Sequence, residues 1–310
     1  MSKIIVTGGS GFLGSHLCKE LSDNNNMVFS PSSKEFDLLN RKKCDELLSY
    51  AGTPDVVIHL AAKCGGIGAN MNNPGSYFYD NMMMGMNVIE SCRKAKVSKI
   101  VLIGTVCSYP KHCAVPFVES DIWKGFPEET NAPYGVAKKA LYVMLDAYHK
   151  QYGLNSTILV PSNLYGPNDN FDDSSSHVIP ALIKKIYNAK INQEPSVEVW
   201  GDGSASREFL YVGDAAKAIR KAAYIRTDTR PMNIGTGKEI TIKQLANKIK
   251  TITGYTGDLI FNHNLPNGQP RRCVNTSLAE YSLGFKAKTT LDIGLRQTID
   301  WFVGNKNKCI

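Results

Sequence analysis

Lys3-Ile4-Ile5-Val6-Thr7-Gly8-Gly9-Ser10-Gly11-Phe12-Leu13-Gly14 decides how the rest of the chain is read. Its first five residues are a β-rich run, and a helical pattern follows from Ser15 to Leu21. Strand, glycine-rich turn and helix in that order carry a helix N-terminus to where a dinucleotide pyrophosphate binds. Gly8 permits the tight turn and Gly11 lets the backbone approach the phosphates. Gly14 allows close packing of helix on strand, with Phe12 and Leu13 in the phosphate-facing stretch between them.

Downstream, Met27-Val28-Phe29 reads as a second strand running into Ser30-Pro31-Ser32-Ser33-Lys34. A site for NAD usually has an acidic residue at that strand end for the ribose hydroxyls. Here Ser33 and Lys34 suit a 2′-phosphate, so NADP(H) is the expected cofactor. Asp55 to Ala62 is a buried strand whose small end residues, Ala61 among them, leave room for cofactor and backbone to pass. Its His59 reads as a structural histidine. A helix over 81–93 and a strand from Lys99 to Gly104 continue the alternation. The fold class expected is α/β, a doubly wound parallel (Rossmann) sheet with a smaller C-terminal substrate lobe. The expected division is 1–165 for the cofactor half, with a return at 207–235, and 166–310 for the lobe.

Pro133-Tyr134-Gly135-Val136-Ala137-Lys138 opens a helix predicted to end near Gly153. Residues four apart share a helix face, so Lys138 sits beside Tyr134. A nearby ammonium favours the phenolate, which predicts a Tyr134 phenol lowered from roughly 10 and usable as an acid/base. Thr105 and Cys107 leave the end of the preceding strand, where such sheets bind ligands, and are placed to face the same crevice. In the lobe, Asp214 is predicted to cap the helix that runs through Ala223, and Gln269-Pro270-Arg271-Arg272 to form a basic loop.

Composition narrows the classes. The chain has 310 residues, 43% hydrophobic and 21% charged, as in a globular protein with ample core. It has no apolar run near the ~20 residues needed to span a bilayer, and the N-terminus enters a strand directly, so no secretory signal is expected. The 36 basic and 28 acidic residues leave a net +8 without a basic cluster, which argues against nucleic acid. Eight cysteines (18, 44, 64, 92, 107, 113, 273 and 309) show no metal or disulfide spacing, which suits a reducing compartment. No metal site is expected.

Glycine loop, His59-Leu60-Ala61-Ala62, Tyr134/Lys138 and Leu164-Tyr165-Gly166-Pro167 together resemble the extended short-chain dehydrogenase/reductases over essentially the whole chain. A narrower resemblance is to the GDP-L-fucose synthase family. It rests on Lys63-Cys64-Gly65-Gly66-Ile67, Cys107-Ser108-Tyr109-Pro110-Lys111, Asn163 to Phe171, and His177-Val178-Ile179-Pro180-Ala181-Leu182. This resemblance implies an NADPH-dependent enzyme that epimerises GDP-4-keto-6-deoxy-D-mannose at C3 and C5 and then reduces C4. Cys107 and His177 would be the epimerisation acid/base pair. Tyr134, Lys138 and Thr105 would serve reduction, with Lys138 and His177 also touching the cofactor. Asn163, Lys185, Trp200, Arg207 and Arg272 would line the GDP-sugar site. A cytoplasmic homodimer joined through four helices is implied as well.

Three departures stand out: Thr105 where the family usually has serine, Ser10 where some members carry an arginine, and Lys185 in place of an arginine. A nucleotide-sugar 4-epimerase or dehydratase with tightly held NAD is the alternative enzyme, but it gives Cys107 and His177 no joint role. A cofactor-binding regulatory module is the non-enzymatic alternative, and it has no need for a complete acid/base set.

Overall fold

The structure, a computed structural model, describes residues 1–225, 229–265 and 268–306. The chain opens with β1 (Lys3–Thr7), α1 (Phe12–Ser22), β2 (Met27–Phe29), α2 (Arg41–Tyr50), β3 (Val56–His59), α3 (Ile67–Asn72), α4 (Pro74–Lys94) and β4 (Lys99–Ile103). It continues through α5 (Ala132–Tyr152), β5 (Ser156–Pro161), β6 (Asn163–Tyr165), α6 (Val178–Ile191), β7 (Ser196–Trp200), β8 (Ser206–Tyr211) and α7 (Val212–Tyr224). Last come β9 (Pro231–Ile234), β10 (Glu239–Thr241), α8 (Ile242–Thr253), β11 (Asp258–Asn262), β12 (Arg271–Arg272), α9 (Ser277–Leu283) and α10 (Leu291–Asn305).

Six strands form one parallel sheet in the order β2-β1-β3-β4-β5-β9. Its strands are apolar on both faces because helices cover both. On one face Leu47, Ile89, Leu141 and Leu145 of α2, α4 and α5 pack on Val57, Ile100 and Leu102. On the other, Leu17, Leu21 and Ile219 of α1 and α7 pack on Ile4, Val6, Val101 and Leu159. Each fully buried Ile or Leu contributes roughly 1.5–3 kcal/mol, so these two layers fix the sheet. A third core, built on Phe171, Ile183, Val199, Leu245 and Phe302, holds the lobe together.

The return from the lobe is more extensive than the sequence reading has it. Of the 207–235 stretch, β8 joins a small separate sheet with β6, β10 and β12, whereas α7 and β9 complete the large one. Helix α9 also comes back, with Ala279 and Leu283 inside the α1/α7 core. Asp214 does not cap α7. The helix begins at Val212, and the buried Asp214 carboxylate accepts from the Lys288 and Thr289 amides at 2.8 and 2.7 Å. The carboxylate is thus spent on the segment leading to α10, and no side chain caps α7. The predicted 269–272 loop likewise ends in β12, because Arg271 and Arg272 pair in parallel with Ser206 and Arg207.

Candidate functional site

Strand order reverses between β1 and β3, and the crevice at their carboxyl ends is where ligands of such sheets bind. Gly8 turns the chain there with φ +73°, and a Cβ on it would come 2.8 Å from the Ala61 nitrogen. A Cβ on Gly14 would overlap the Gly8 carbonyl, so α1 can rise this close to β1 only with glycine in place. Gly11 precedes the helix in extended conformation and no side chain caps it, which leaves the amides of Phe12, Leu13 and Gly14 facing outward for a phosphate. The cradle thus has the shape and donors for a dinucleotide. His16 bonds the Pro167 carbonyl at 2.7 Å and ties the cradle to the loop after β6. Ser33 and Lys34 lie in an exposed turn beyond β2, where the Lys34 amide donates to Ser32 Oγ at 3.2 Å. The residue of that stretch set against the glycine loop is Ser30, which fills the space a Cβ on Gly9 would need.

The first turns of α5 bring the reactive groups to this crevice. Pro133 sits in the first turn, where its missing N–H costs nothing, and Gly153 ends the helix in the left-handed region. Tyr134, Lys138 and Tyr142 follow at four-residue intervals on one face. Tyr134 hydrogen-bonds Thr105. Thr105 Oγ1 accepts from the Cys107 amide at 3.1 Å, capping the short 3-10 turn Val106–Ser108. Behind them, Tyr142 Oη accepts from the Thr105 amide at 3.0 Å and bonds Ser108 Oγ at 3.1 Å.

The electrostatics differ from the sequence expectation. Lys138 Nζ lies 6.0 Å from the Tyr134 ring centre but donates to the Ile103 carbonyl at 3.0 Å. It is almost wholly buried, and desolvation lowers its ammonium from 10.5 to about 8. Burial likewise raises the Tyr134 phenol well above 10.0, the Cys64 and Cys107 thiols adding to the rise and the Thr105 hydrogen bond opposing it. Adjacency is as predicted, but desolvation outweighs it. Tyr134 is therefore a protonated phenol at neutral pH, equipped to give a proton.

The lobe supplies the opposite wall. His177 precedes α6 in extended conformation. Its surface is open to solvent, yet desolvation by the protein around it, with the positive charge of Arg272 second, keeps its imidazole below the usual 6.5. Arg272 Nη1 lies 3.8 Å from Cys107 Sγ. Arg207 is its registered neighbour on β8 and is pushed down to about 10 by burial first and by Arg272 second. Farther out, Lys185 Nζ lies 5.7 Å from the centre of the half-exposed Trp200 ring. Asn163 is set differently from the other predicted contacts, since its Nδ2 donates to the Glu208 carbonyl at 2.8 Å and braces β6 against β8. Thr105, Cys107 and Tyr134 thus form one cluster, with Arg272 linking it to His177 and Arg207.

Sequence reasoning gave no role to three residues here. Cys64, exposed on the loop after β3, is close enough to raise Tyr134. Asp169 is buried, its Oδ2 has no partner among the described residues, and burial raises its carboxyl to about 7. Tyr142 holds Thr105 from behind, and its spacing from Tyr134 and Lys138 was the one signal for it. Of the eight cysteines, seven are free thiols and Cys309 lies outside the described residues. Among the described residues no group of three or more His, Cys, Asp or Glu could hold a metal, and no helix is long and apolar enough to cross a membrane.

Residues 4–235 match the NAD dependent epimerase/dehydratase family. The GDP-L-fucose synthase of Sinorhizobium fredii (strain NBRC 101917 / NGR234) is 37% identical over 303 residues, 98% of this chain and 96% of that one. A GDP-6-OMe-4-keto-L-xylo-heptose reductase from C. jejuni superimposes with a TM-score of 0.91 at 30% identity, over 98% of both chains. A GDP-mannoheptose C4 reductase from Campylobacter jejuni with NADP bound does so with 0.86 at 30% identity, over 97% of this chain and 98% of that one.

Proposed function

Since the chain belongs to the NAD dependent epimerase/dehydratase family, we propose that it converts GDP-4-keto-6-deoxy-D-mannose to GDP-L-fucose. The reaction epimerises C3 and C5 and reduces C4, with NADP(H) as cofactor. The chain is an oxidoreductase acting on a GDP-sugar, as its relatives are. The observation that carries the full reaction is the single cluster of phenol, hydroxyl and thiol at Tyr134, Thr105 and Cys107, with Arg272 against that thiol and its charge felt at His177.

The chemistry follows from these groups. A C4 ketone acidifies the hydrogens at C3 and C5, so a thiol on one side and an imidazole on the other can move protons on and off both carbons. Each such group contributes about 10²–10⁴ in rate. Thr105 polarises the C4 oxygen, and Tyr134, protonated at neutral pH, supplies its proton. Bound NADPH supplies the hydride to C4. Residues Gly8 to Gly14 would hold its pyrophosphate, and Ser33 and Lys34 its 2′-phosphate. Lys138 would orient its nicotinamide ribose, with Ala61 close to the backbone crossing and His177 beside it. Arg207 and Arg272, two cations on adjacent strands, are relieved by an anion between them, which suits the substrate diphosphate. Lys185 and Trp200 suit the nucleotide, and Asn163 frames the same wall.

The chain is further read as a homodimer through α4 and α5. These helices pack on each other, and Tyr79, Met86 and Val143 are left exposed on them. The free thiols suit a cytoplasmic location.

The test is incubation with GDP-4-keto-6-deoxy-D-mannose and NADPH in deuterium oxide. GDP-L-fucose carrying deuterium at C3 and C5, with one NADPH consumed per product, is expected. Reduction at C4 without deuterium at either carbon would reduce the reading to a simple C4 reductase.

A further inference from the structure

Gln269 is buried, with both ends of its side-chain amide engaged. Nε2 donates to the Lys111 carbonyl at 3.0 Å, and Oε1 accepts from Arg272 Nε at 3.1 Å. Lys111 lies on the segment that leaves Cys107, and its own amide donates to the Phe126 carbonyl at 3.0 Å. Gln269 therefore fastens the β12 segment to the loop that carries the thiol. A guanidinium is a rigid planar fork, so fixing Nε also fixes the direction of the other two nitrogens. Pairing of β12 with β8 fixes the backbone behind it, and Nη1 arrives 3.8 Å from Cys107 Sγ. A surface arginine that merely awaited a phosphate would need neither the buried amide nor this direction.

A guanidinium gains little from a neutral thiol. Toward an anionic sulfur it makes a charge-assisted bond, about twice as strong as a neutral one. A fixed cation aimed at a charge that comes and goes during reaction stabilises it without reorganisation.

We infer that Arg272, aimed by Gln269, is the counter-cation of the Cys107 sulfur during epimerisation, and that Gln269 is a positioning residue acting through Arg272. This rests on the assignment of proton transfer to Cys107 and His177 made above. When the sulfur takes a proton from C3 or C5, the C–H bond breaks and an S–H bond forms. The electron pair passes to the C4 oxygen as an enolate, and the sulfur loses its charge. His177 gives a proton to the opposite face of the same carbon, which inverts it, and passage of the thiol proton through solvent to the imidazole restores the anion, and with it the bond to Arg272. Desolvation first and the charge of Arg272 second weaken the hold of His177 on its proton, which favours its release to the carbon.

Iodoacetamide alkylates the anionic sulfur, so its second-order rate at Cys107, mapped by peptide mass spectrometry at pH 7 without substrate, reads the contact directly. Half-buried Cys18, on α1, is the internal reference. Arg272→Met should slow Cys107 alkylation about ten-fold or more, the usual worth of a hydrogen bond to a charged group, and leave Cys18 nearly unchanged. Gln269→Leu should slow it several-fold with Arg272 intact, and Arg272→Lys should recover part of the loss. Deuterium entry at C3 and C5 should fall in the same order. Equal Cys107 rates in Arg272→Met and the parent, with NADPH binding retained, would overturn the inference. Should Arg272→Met not fold, Gln269→Leu and Arg272→Lys carry the test, and equal rates in both overturn it. Alkylation rates that rank as expected in a parent enzyme that admits no deuterium would refute the epimerase reading instead, leaving the guanidinium–sulfur pair standing.

Discussion

Lys138 stands one helical turn from Tyr134, its ammonium 6.0 Å from the ring centre, yet it gives its hydrogen bond to the main chain at Ile103. The lysine is held for something it does not touch in the protein alone, and the fold bears the cost of a buried charge.

That cost is measurable. With its ammonium lowered from 10.5 to about 8, the unfolded chain binds the proton more tightly than the folded one. Stability therefore rises with pH from about 8 to 10.5, and below 8 the full penalty of roughly 3 kcal/mol applies, at 1.36 kcal/mol per pH unit. Lys138→Met removes that penalty but leaves the Ile103 carbonyl without its donor, which costs about 1 kcal/mol. Urea unfolding at pH 7 should show the variant about 2 kcal/mol more stable and almost inactive. A variant less stable than the parent at pH 7 would refute the account.

His59 and Asp169 oppose one another. His59 accepts or donates at Nδ1 with Thr7 Oγ1, 2.8 Å away, and burial first, with Lys138 second, lowers it from 6.5 to about 3. Its contribution is lost as pH falls from 6.5 toward 3, because the unfolded chain takes up the proton. Asp169, raised from 3.8 to about 7, binds the proton in the folded chain, and its contribution is lost as pH rises from 3.8 to 7. Between 3.8 and 6.5 the two slopes cancel. Asp169→Asn removes one of the two, so stability should rise with pH more steeply than in the parent, by up to 1.36 kcal/mol per pH unit across that window. Denaturation midpoints that follow pH as the parent's do would contradict this pairing.

Gly14→Ala forces a methyl into the Gly8 carbonyl and the Gly9 backbone. The glycine turn must move, costing about 1–3 kcal/mol, and NADPH affinity measured by fluorescence should drop about ten-fold or more. Gly75, in the first turn of α4 with nothing within 4 Å of its would-be Cβ, is the control. Its alanine variant should be as stable as the parent or up to about 1 kcal/mol more so.

Trp200→Ala removes an exposed ring on which a nucleotide base can stack, a contact worth about 1–3 kcal/mol. Its ring offers no acid or base, so KM for the GDP-sugar should rise about ten-fold with kcat little changed. A fall in kcat at unchanged KM would take Trp200 out of the binding site.

Parts of this architecture are legible from sequence because the forces that form them are local. The strand–glycine–helix run and the start of α5 at Pro133 need only neighbours within a few residues. Asp214 misleads for the opposite reason. An aspartate at a helix start reads as a cap, and nothing nearby reveals the amides of Lys288 and Thr289 that claim it. Tyr134 shows a second limit, since spacing gives its distance from Lys138 but not the dielectric around both. The arginine fork over Cys107 is hidden altogether, because it joins positions 107, 111, 269 and 272 through contacts that no periodicity encodes.

The outermost strand of the large sheet, β9, is made from residues 231–234 and lies beside the fully buried β5. On the ribosome, the first half of the chain must emerge with the β5 flank unpaired, a ready template for joining a wrong neighbour. It is sealed only after the chain has passed through β7, β8 and α7. The two halves are thus obliged to mature together, and a gene cut after codon 165 would encode an adhesive precursor rather than a freestanding nucleotide-binding unit.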